Sequence, residues 1–409
     1  MAHLGRPDWM AARTTRAVIS ALEAALPGGS RFVGGCVRNT LMQRPVDDID
    51  IATRLTPEAA VHALEAAGIR VIPTGIDHGT VTAVSEGQAF EITTLRRDVE
   101  TDGRRAVIAY TEDWTLDAQR RDFRLNALYA EPDGCVHDPV GGGIEDAHAG
   151  RVIFIGDADQ RLREDYLRIL RFFRFNAWYG AGIDPEGLEA CARQRAGLRR
   201  IAAERIWKEF RRLLAAPDPC RSVEAMHAAG VLDELLPRHD GSGGVERLAS
   251  LVRIEDELSE APDPMRRLMA LTGRQASAVD AFVAHARLSN AEARRLEDWV
   301  KPASTLDLAA PAPALRAARF ERGEAGFIDS AILEAAEDNG GVARLRAALS
   351  IGRDWPVPAL PVSGDDIKAL GLSGPAIGDM IRRLEQDWVA SDFSLDREAL
   401  IDLARRWMR

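Results

Sequence analysis

The 409-residue sequence has no paired cysteines and no long hydrophobic run, and only three of its 53 basic residues are lysines. Its four cysteines are far apart and form no CxxC pair, which excludes a zinc-finger spacing and a dense disulfide framework. No window approaches about 18 consecutive apolar residues, so the sequence predicts no transmembrane helix. We therefore expect a cytoplasmic protein with four reduced thiols.

The rest of the composition is that of a globular protein. Hydrophobic residues make up 46% and charged residues 28%, and the length suits two to three domains of roughly 150 residues each. Near the start, residues 8–26 predict a short amphipathic helix and not a signal peptide. Charged residues interrupt the apolar residues of this segment, and glycines follow it.

Charge is distributed unevenly along the chain. Residues 1–159 carry 16 basic and 24 acidic side chains, residues 160–215 carry 13 and 7, and residues 216–409 carry 24 and 32. Only the middle segment has a positive balance. It indicates either a contact zone for phosphates or a solvated basic helix face.

The order of predicted elements indicates the fold class. Apolar and polar residues alternate in strand-like runs at 31–33, 49–53, 80–84 and 90–94, and runs 127–130 and 135–137 flank a Pro-Asp-Gly turn that predicts a hairpin. A helix is predicted at 57–68. Strand patterns nearly vanish after residue 150, where helices are predicted at 159–179 and 203–215 and linkers at 240–244 and 302–313. These patterns predict an α/β head with a small mixed sheet, followed by an elongated helical region.

A glycine pair follows the first predicted strand. Gly34 and Gly35 would let backbone N–H groups approach a phosphate, and Arg38 would supply a cation. A plain strand-to-helix turn is the usual explanation for such a pair.

Three carboxylates lie on two of the predicted strands. Asp48 and Asp50 would project from one side of a strand while Ile49 faces the other, and adjacent carboxylates suit Mg²⁺. If strand 90–94 pairs beside them, Glu91 completes a cluster of the kind that holds two Mg²⁺ during phosphoryl transfer. Solvated carboxylates on a wet sheet face are the alternative.

Segment 120–127 mixes guanidinium, carboxylate and amide groups. Asp122 and Asn126 are four residues apart and are predicted to share a helical face. Arg121 is a candidate for pairing with a triphosphate, and Asp122 and Asn126 for holding ribose hydroxyls. A salt-bridged helix start is the alternative.

Segment 163–174 is the most informative. Asp165, Arg168, Arg171 and Arg174 recur every three residues and are predicted to form one stripe of a helix. A carboxylate beside a guanidinium matches the amine donor and ring-nitrogen acceptor of cytosine and adenine, but not the edges of uracil and guanine. Asp165 and Arg168 could therefore select C and A, although a solvated charged face also explains the spacing.

Four motifs occur in order, and together they resemble a known family. The resemblance is to the class II CCA-adding tRNA nucleotidyltransferases and bacterial poly(A) polymerases of the nucleotidyltransferase superfamily. It covers about residues 30–215, and Ser363-Gly364-Asp365-Asp366 resembles the tail of bacterial members more loosely. The four motifs are Gly34-Gly35-Cys36-Val37-Arg38, Asp48-Ile49-Asp50, Arg120-Arg121-Asp122 with Asn126, and Glu164-Asp165-Tyr166-Leu167-Arg168.

The resemblance implies a fold, a reaction and a set of partners. The fold would be an α/β head with a small mixed nucleotidyltransferase sheet at 1–150, then a helical neck at 151–215, a body at 216–301 and a tail at 302–409. The head would catalyse, the neck would select the base and contact RNA, and the tail would bind tRNA. The reaction would be template-independent addition of C, C and A to the tRNA 3′ end from CTP and ATP, with Mg²⁺ as cofactor.

The resemblance also implies residue roles. Asp48 and Asp50 would be the metal ligands, and Glu91 the third catalytic carboxylate. The nucleotide would be bound by Gly34, Gly35, Arg38, Arg121, Asp122, Asn126, Asp165, Arg168, Arg171 and Arg174.

Three alternative functions remain open at this point. A poly(A) polymerase would share the fold, but segment 75–81 looks like the CCA-adding form. An enzyme that adds only CC is disfavoured because the charged loop 96–105, which assists the switch from C to A in this family, is present. A non-catalytic RNA-binding protein is disfavoured by the intact carboxylates.

One departure from the family is Asn39, where aspartate is usual; it removes a charge beside Arg38.

Overall fold

The structure is a computed structural model that describes residues 2–73, 75–101, 106–301, 305–338 and 342–409. The chain divides into two compact units, Met1–Leu235 and Leu236–Arg409. Among the described residues, no helix is both long and apolar enough to cross a membrane. The four domain ranges inferred from the sequence remain predictions.

A mixed seven-stranded sheet organises the first unit. Its order is β3-β4-β5-β2-β1-β8-β9, and β2 and β5 run parallel while its other neighbouring strands pair antiparallel. β6 and β7 form a separate two-stranded hairpin. The strands are β1 Ser30–Val33, β2 Asp50–Thr53, β3 Arg70–Ile72, β4 Thr80–Ser85, β5 Gln88–Thr94, β6 Arg96–Thr101, β7 Ala106–Tyr110, β8 Tyr129–Ala130 and β9 Val136–His137.

The predicted mixed sheet and the β8–β9 hairpin are thus confirmed. The charged loop predicted at 96–105 is instead mostly strand β6, and residues 102–105 lie outside the described residues. Helices cover the sheet, and Leu22 and Leu64 on two of them are fully buried. These helices are α1 Asp8–Ala11, α2 Arg13–Ala25, α3 Gly35–Leu41, α4 Pro57–Ala66, α5 Trp114–Gln119 and α6 Gly143–Ala149.

After residue 150, the described part of the first unit contains helices and loops but no further strand of the sheet, as the sequence predicted. The helix predicted at 159–179 is interrupted, because Asp165 has an extended backbone (φ −152°) that ends one helix before the next begins. The helices are α7 Ala158–Glu164, α8 Leu167–Tyr179, α9 Pro185–Gln194, α10 Ala203–Leu214, α11 Cys220–Ala228 and α12 Val231–Leu235.

The described residues of the second unit are helical and loop segments without strands. Its first helix corrects a prediction, since the glycine-rich segment at 240–244 begins α13 instead of forming a linker. A β-carbon on Gly244 would lie 2.5 Å from the Leu271 carbonyl oxygen, so close helix packing explains this glycine. Residues 302–304 of the other predicted linker lie outside the described residues. The helices are α13 Gly241–Leu258, α14 Pro264–Thr272, α15 Ala276–Ala286, α16 Asn290–Trp299, α17 Ala312–Asp338, α18 Val342–Asp354, α19 Gly364–Ala369, α20 Pro375–Ala390 and α21 Arg397–Trp407.

Candidate active site

One cleft of about 490 Å³ in the first unit gathers nearly all the predicted site residues. Arg120 and Phe175 also line it, although the sequence did not assign them a role. Glu91 is the one predicted site residue that does not line it. The predicted residues in its walls are Gly34, Gly35, Arg38, Asp48, Asp50, Arg121, Asp122, Asn126, Asp165, Arg168, Arg171 and Arg174.

The glycine pair connects β1 to α3 at one wall of the cleft. Gly34 adopts a positive φ of 71°, which disfavours any residue with a β-carbon. A β-carbon built there would lie 3.7 Å from Nη1 of Arg121, an ordinary contact. Backbone conformation, and not lack of space, therefore requires this glycine, and it brings the main chain up against the Arg121 guanidinium.

The carboxylates lie at the start of β2 and beside it. Asp50 and Glu91 are register partners in the parallel β2–β5 pair, so the pairing that the sequence analysis stated as a condition is present. Asp48 is exposed, Ile49 is buried and Asp50 is half-buried, which fits the predicted alternation. Burial raises the pKa of Asp50 to about 6; Glu91 and Asp48 add to the rise, and Arg121 and Arg38 oppose it.

The three carboxylates nevertheless do not form one compact cluster. In the described ranges, no three His, Cys, Asp or Glu side chains are grouped closely enough to hold a metal ion together. Glu91 is exposed and outside the cleft walls, while Asp48 and Asp50 both face the cleft. Asp48 and Asp50 are therefore a pair of carboxylate donors in the cleft, which suits a cation that also takes ligands from its substrate.

Arg38 is buried at the centre of a polar network. It donates to Oδ1 of Asn126 and, from Nε and Nη2, to Oδ1 of Asn39 at 3.1 and 2.8 Å. Asn39 in turn donates from Nδ2 to the Pro45 carbonyl at 2.7 Å. The neutral amide therefore replaces the usual aspartate as an acceptor for Arg38, and it adds a donor that a carboxylate lacks.

Asp122 is held by protein groups on both carboxylate oxygens. Its Oδ1 accepts from the Phe123 amide and from Nδ2 of Asn126, and its Oδ2 accepts from Nε of Arg171 at 2.7 Å. Burial opposes its ionisation, but Arg171, Asn126 and Arg168 together outweigh burial and hold the pKa of Asp122 below its usual value. Asp122 and Asn126 are in contact as expected, but through a bend and a 3₁₀ turn and not along a helix.

Asp117 is a buried carboxylate that accepts hydrogen bonds from four residues, and the sequence patterns did not indicate it. Its carboxylate accepts from Arg120, from Nη2 of Arg121, from the Tyr129 hydroxyl at 2.6 Å and from the Arg96 amide at 3.3 Å. Burial disfavours the charge, yet Arg121 and Arg120 hold the pKa of Asp117 well below its usual range. Asp117 therefore fixes the Arg121 guanidinium and ties the β6–β7 hairpin to it.

The predicted charged stripe is only partly helical. Arg168, Arg171 and Arg174 lie on α8, but Asp165 lies in the break before it. Oδ1 of Asp165 accepts from the Leu167 amide at 3.1 Å, which fixes the carboxylate at the start of α8. Nη1 of Arg168 pairs with Glu164 at 2.6 Å, and its Nη2 donates to the Arg120 carbonyl at 3.0 Å.

Two residues of α10 pair with members of the stripe. Nη2 of Arg205 is 2.8 Å from Oδ2 of Asp165, and Nε of Arg174 is 2.6 Å from Oε2 of Glu209. Neither Arg205 nor Glu209 is among the residues that line the cleft. They lie four residues apart on an amphipathic helix, which was the one signal in the sequence that could have indicated a shared face.

Comparison with known proteins gives the chain relatives along most of its length. Residues 30–153 match the family described as Poly A polymerase head domain, and residues 182–241 the one described as Probable RNA and SrmB- binding site of polymerase A. The human CCA tRNA nucleotidyltransferase 1, mitochondrial, is 32% identical over 92% of this chain and 86% of its own. The chain belongs to the family of CCA tRNA nucleotidyltransferases and poly(A) polymerases.

Bacterial members of the family are similar as well. The CCA-adding enzyme of Oceanobacillus iheyensis is 38% identical over 50% of each chain. The crystal structure of the Bacillus stearothermophilus CCA-adding enzyme in complex with CTP has the same fold, with a TM-score of 0.78 and 23% identity over 97% of this chain and 98% of that one. The α/β head followed by helices is therefore the fold of the family.

Proposed function

We propose that the protein adds CCA to the 3′ end of tRNA from CTP and ATP. The observation that carries the proposal is the single cleft in which Asp48 and Asp50 face the arginines of the glycine turn, of segment 120–121 and of α8. Family members named CCA tRNA nucleotidyltransferase and CCA-adding enzyme support it. A poly(A) polymerase of the same fold is the second candidate, since the head matches a family of that name.

In the proposed reaction, the tRNA 3′ hydroxyl attacks the α-phosphate of the nucleotide and pyrophosphate leaves. Arg38, Arg121, Arg171 and Arg174 would neutralise the triphosphate, because each guanidinium can donate two parallel hydrogen bonds to phosphate oxygens. Their partners in the protein hold them in place before the nucleotide arrives, so little reorganisation is needed during the reaction. Asp122 contributes by orienting Arg171 and Asn126, besides any contact with the ribose.

Asp48 and Asp50 fit a divalent cation such as Mg²⁺. Burial raises the pKa of Asp50 to about 6, and the neighbouring carboxylates Glu91 and Asp48 add to the rise. A bound cation would relieve the repulsion between these carboxylates. When bound, Mg²⁺ would neutralise negative charge on the phosphates and lower the pKa of the attacking hydroxyl. Glu91 would support the pair from β5 as the third catalytic carboxylate, in electrostatic contact with Asp50.

Base selection would depend on Asp165 and Arg168, which also line the cleft. The acceptor and donor of this pair complement the shared edge of cytosine and adenine.

We also propose a cytoplasmic location, on the separated reduced cysteines, although the name of the human relative places that protein in mitochondria.

Incubation with tRNA that lacks CCA, and with each labelled nucleotide in turn, tests the function. We expect incorporation from CTP on this tRNA, from ATP on tRNA that ends in CC, and little from UTP or GTP. Repeated incorporation from ATP alone would identify a poly(A) polymerase, and incorporation from CTP without ATP a CC-adding enzyme. RNA binding without incorporation would contradict any catalytic function.

The positive segment 160–215 is the proposed tRNA contact, and its arginines differ in their partners. Arg193 pairs with Asp159 and Arg199 pairs with Glu234. Arg195 donates to a backbone carbonyl, and Arg200 lies 5.5 Å from the Tyr166 ring centroid. Neither of these two has a carboxylate partner within the described segments, so their charge is available to phosphates.

Two double variants of equal charge change test this contact. Arg195→Gln with Arg200→Gln should weaken tRNA binding and lower the slope of log Kd against log salt by about one unit per lost phosphate contact. Arg193→Gln with Arg199→Gln should change the slope less, because carboxylates already neutralise those two arginines. Binding titrations from low to moderate salt measure both slopes. Unchanged slopes in both variants would move the RNA path to another surface.

A further inference from the structure

The residues of α10 do not line the cleft. Two of them nevertheless contact the first and the last member of the charged stripe, which does line it. Arg205 reaches Asp165, and Glu209 reaches Arg174. The four-residue spacing places both on one face of the helix, toward α8. We propose that Arg205 and Glu209 are positioning residues, through which α10 sets base selectivity and nucleotide affinity respectively. This inference rests on the proposed function.

The Arg205 contact controls the orientation of one carboxylate. Oδ1 of Asp165 accepts one hydrogen bond from the Leu167 amide, and Oδ2 accepts one from Nη2 of Arg205 at 2.8 Å. Because a carboxylate oxygen accepts two hydrogen bonds, each oxygen keeps one lone pair for a base amine. With both oxygens held, the carboxylate cannot rotate to present another edge to the nucleotide.

The same pair contributes little to the stability of the fold. The Arg205 side chain is 47% exposed and the Asp165 side chain 30% exposed. Ion pairs with this exposure are screened by water and have small effects on the free energy of unfolding. Since Asp165 also lines the cleft, the main consequence of the contact is local, at the position where a base would be read.

The Glu209 contact controls a buried cation. The Glu209 side chain is 7% exposed and the Arg174 side chain 13% exposed. Burial lowers the pKa of Arg174, Glu209 raises it, and the nearby Arg171 lowers it further. Glu209 therefore keeps Arg174 in place against its own desolvation and against repulsion from Arg171, next to the site of the triphosphate.

The two positions should give different kinetic signatures. Arg205→Gln frees the Asp165 carboxylate, so the ratio of kcat/KM for CTP and ATP to that for UTP and GTP should fall by about tenfold. Glu209→Gln should raise KM for all four nucleotides by a similar factor, about tenfold, and leave the ratio unchanged, because a triphosphate is common to all of them.

Lys208→Gln is the matched control. It removes the same positive charge from the same helix, and Lys208 is exposed and has no partner among the residues that the structure describes. All four nucleotides should react within twofold of the wild type. Arg205→Lys, which retains the charge without the planar fork, should restore part of the selectivity.

The decisive measurement is kcat/KM for the four nucleotides on one tRNA, with the thermal unfolding midpoint of each variant. An unchanged ratio in Arg205→Gln, or an equal loss for all nucleotides in both variants together with lowered midpoints, would overturn the inference. If Glu209→Gln does not fold, Glu209→Asp keeps the charge and tests its position. A wild-type protein without incorporation from CTP and ATP would contradict the proposed function instead; selective binding of CTP over UTP, lost in Arg205→Gln, would then still test Arg205.

Discussion

Replacing Asp50 with alanine should abolish nucleotide incorporation while tRNA binding persists, and Asp48→Ala should do the same. Both carboxylates face the cleft, and each would be a ligand of the cation that neutralises the phosphates. Loss of a single group that stabilises such a transition state costs a factor of about 10²–10³, and loss of the cation with it costs more. Binding should survive because the RNA would be held by the basic segment 160–215. Single-turnover incorporation and filter binding on the same preparations measure the two effects separately.

Asp47→Ala is the control for this prediction. Asp47 carries the same charge, precedes Asp48 and is exposed, but it does not line the cleft. Its loss should leave incorporation near that of the wild type. Near-normal turnover in either the Asp48 or the Asp50 variant would remove the assignment of these two residues as metal ligands.

Asp165→Ala should change which nucleotides the protein accepts. The variant loses the acceptor for the exocyclic amine of C and A, and also the repulsion against the carbonyl of U and G. A lost bidentate contact is worth about 1–3 kcal/mol of discrimination, so CTP and ATP should lose efficiency while UTP and GTP gain relative to them. Because the Leu167 amide also loses its acceptor, the free energy of unfolding should fall by about 1 kcal/mol.

Asp159→Asn provides the comparison, since Asp159 also pairs with an arginine but lies outside the cleft. Its kcat/KM values for the four nucleotides should keep the wild-type ratio. If the Asp165→Ala ratio also stays unchanged, base selection resides elsewhere and Asp165 is only an ion-pair partner. Arg168→Ala should mainly reduce efficiency, because it deletes a donor that both C and A require.

The sequence predicts those parts of the site that depend on the spacing of residues close to one another along the chain. Alternation at the entry to β2 correctly separated Asp48 and Asp50 from Ile49, and the pattern of β5 made Glu91 a candidate neighbour of Asp50. Parallel pairing itself is a long-range event, so the sequence could state it only as a condition. The helical stripe failed at Asp165, because a three-residue spacing carries no information about an extended residue between two helices.

Two of the residues that the sequence did not reveal act through distant partners. Arg205 contacts Asp165 and Glu209 contacts Arg174, which are 40 and 35 residues away along the chain. Asp117 pairs with Arg121 only four residues away, but its contacts with Tyr129 and Arg96 span longer stretches of the chain. The prediction of a linker at the glycine-rich start of α13 was wrong for a related reason. Glycine has a low helix propensity, but close packing of Gly244 against α14 overrides it.

The composition of the cleft also determines how the protein can be modified chemically. Lysine occurs only at positions 208, 301 and 368, and none of these lines the cleft, so amine-directed fluorophores on lysine leave it open to nucleotides. Dicarbonyl reagents that attack guanidinium groups should instead inactivate the protein, and bound CTP should protect it. The cations that would be shielded are Arg38, Arg120, Arg121, Arg168, Arg171 and Arg174.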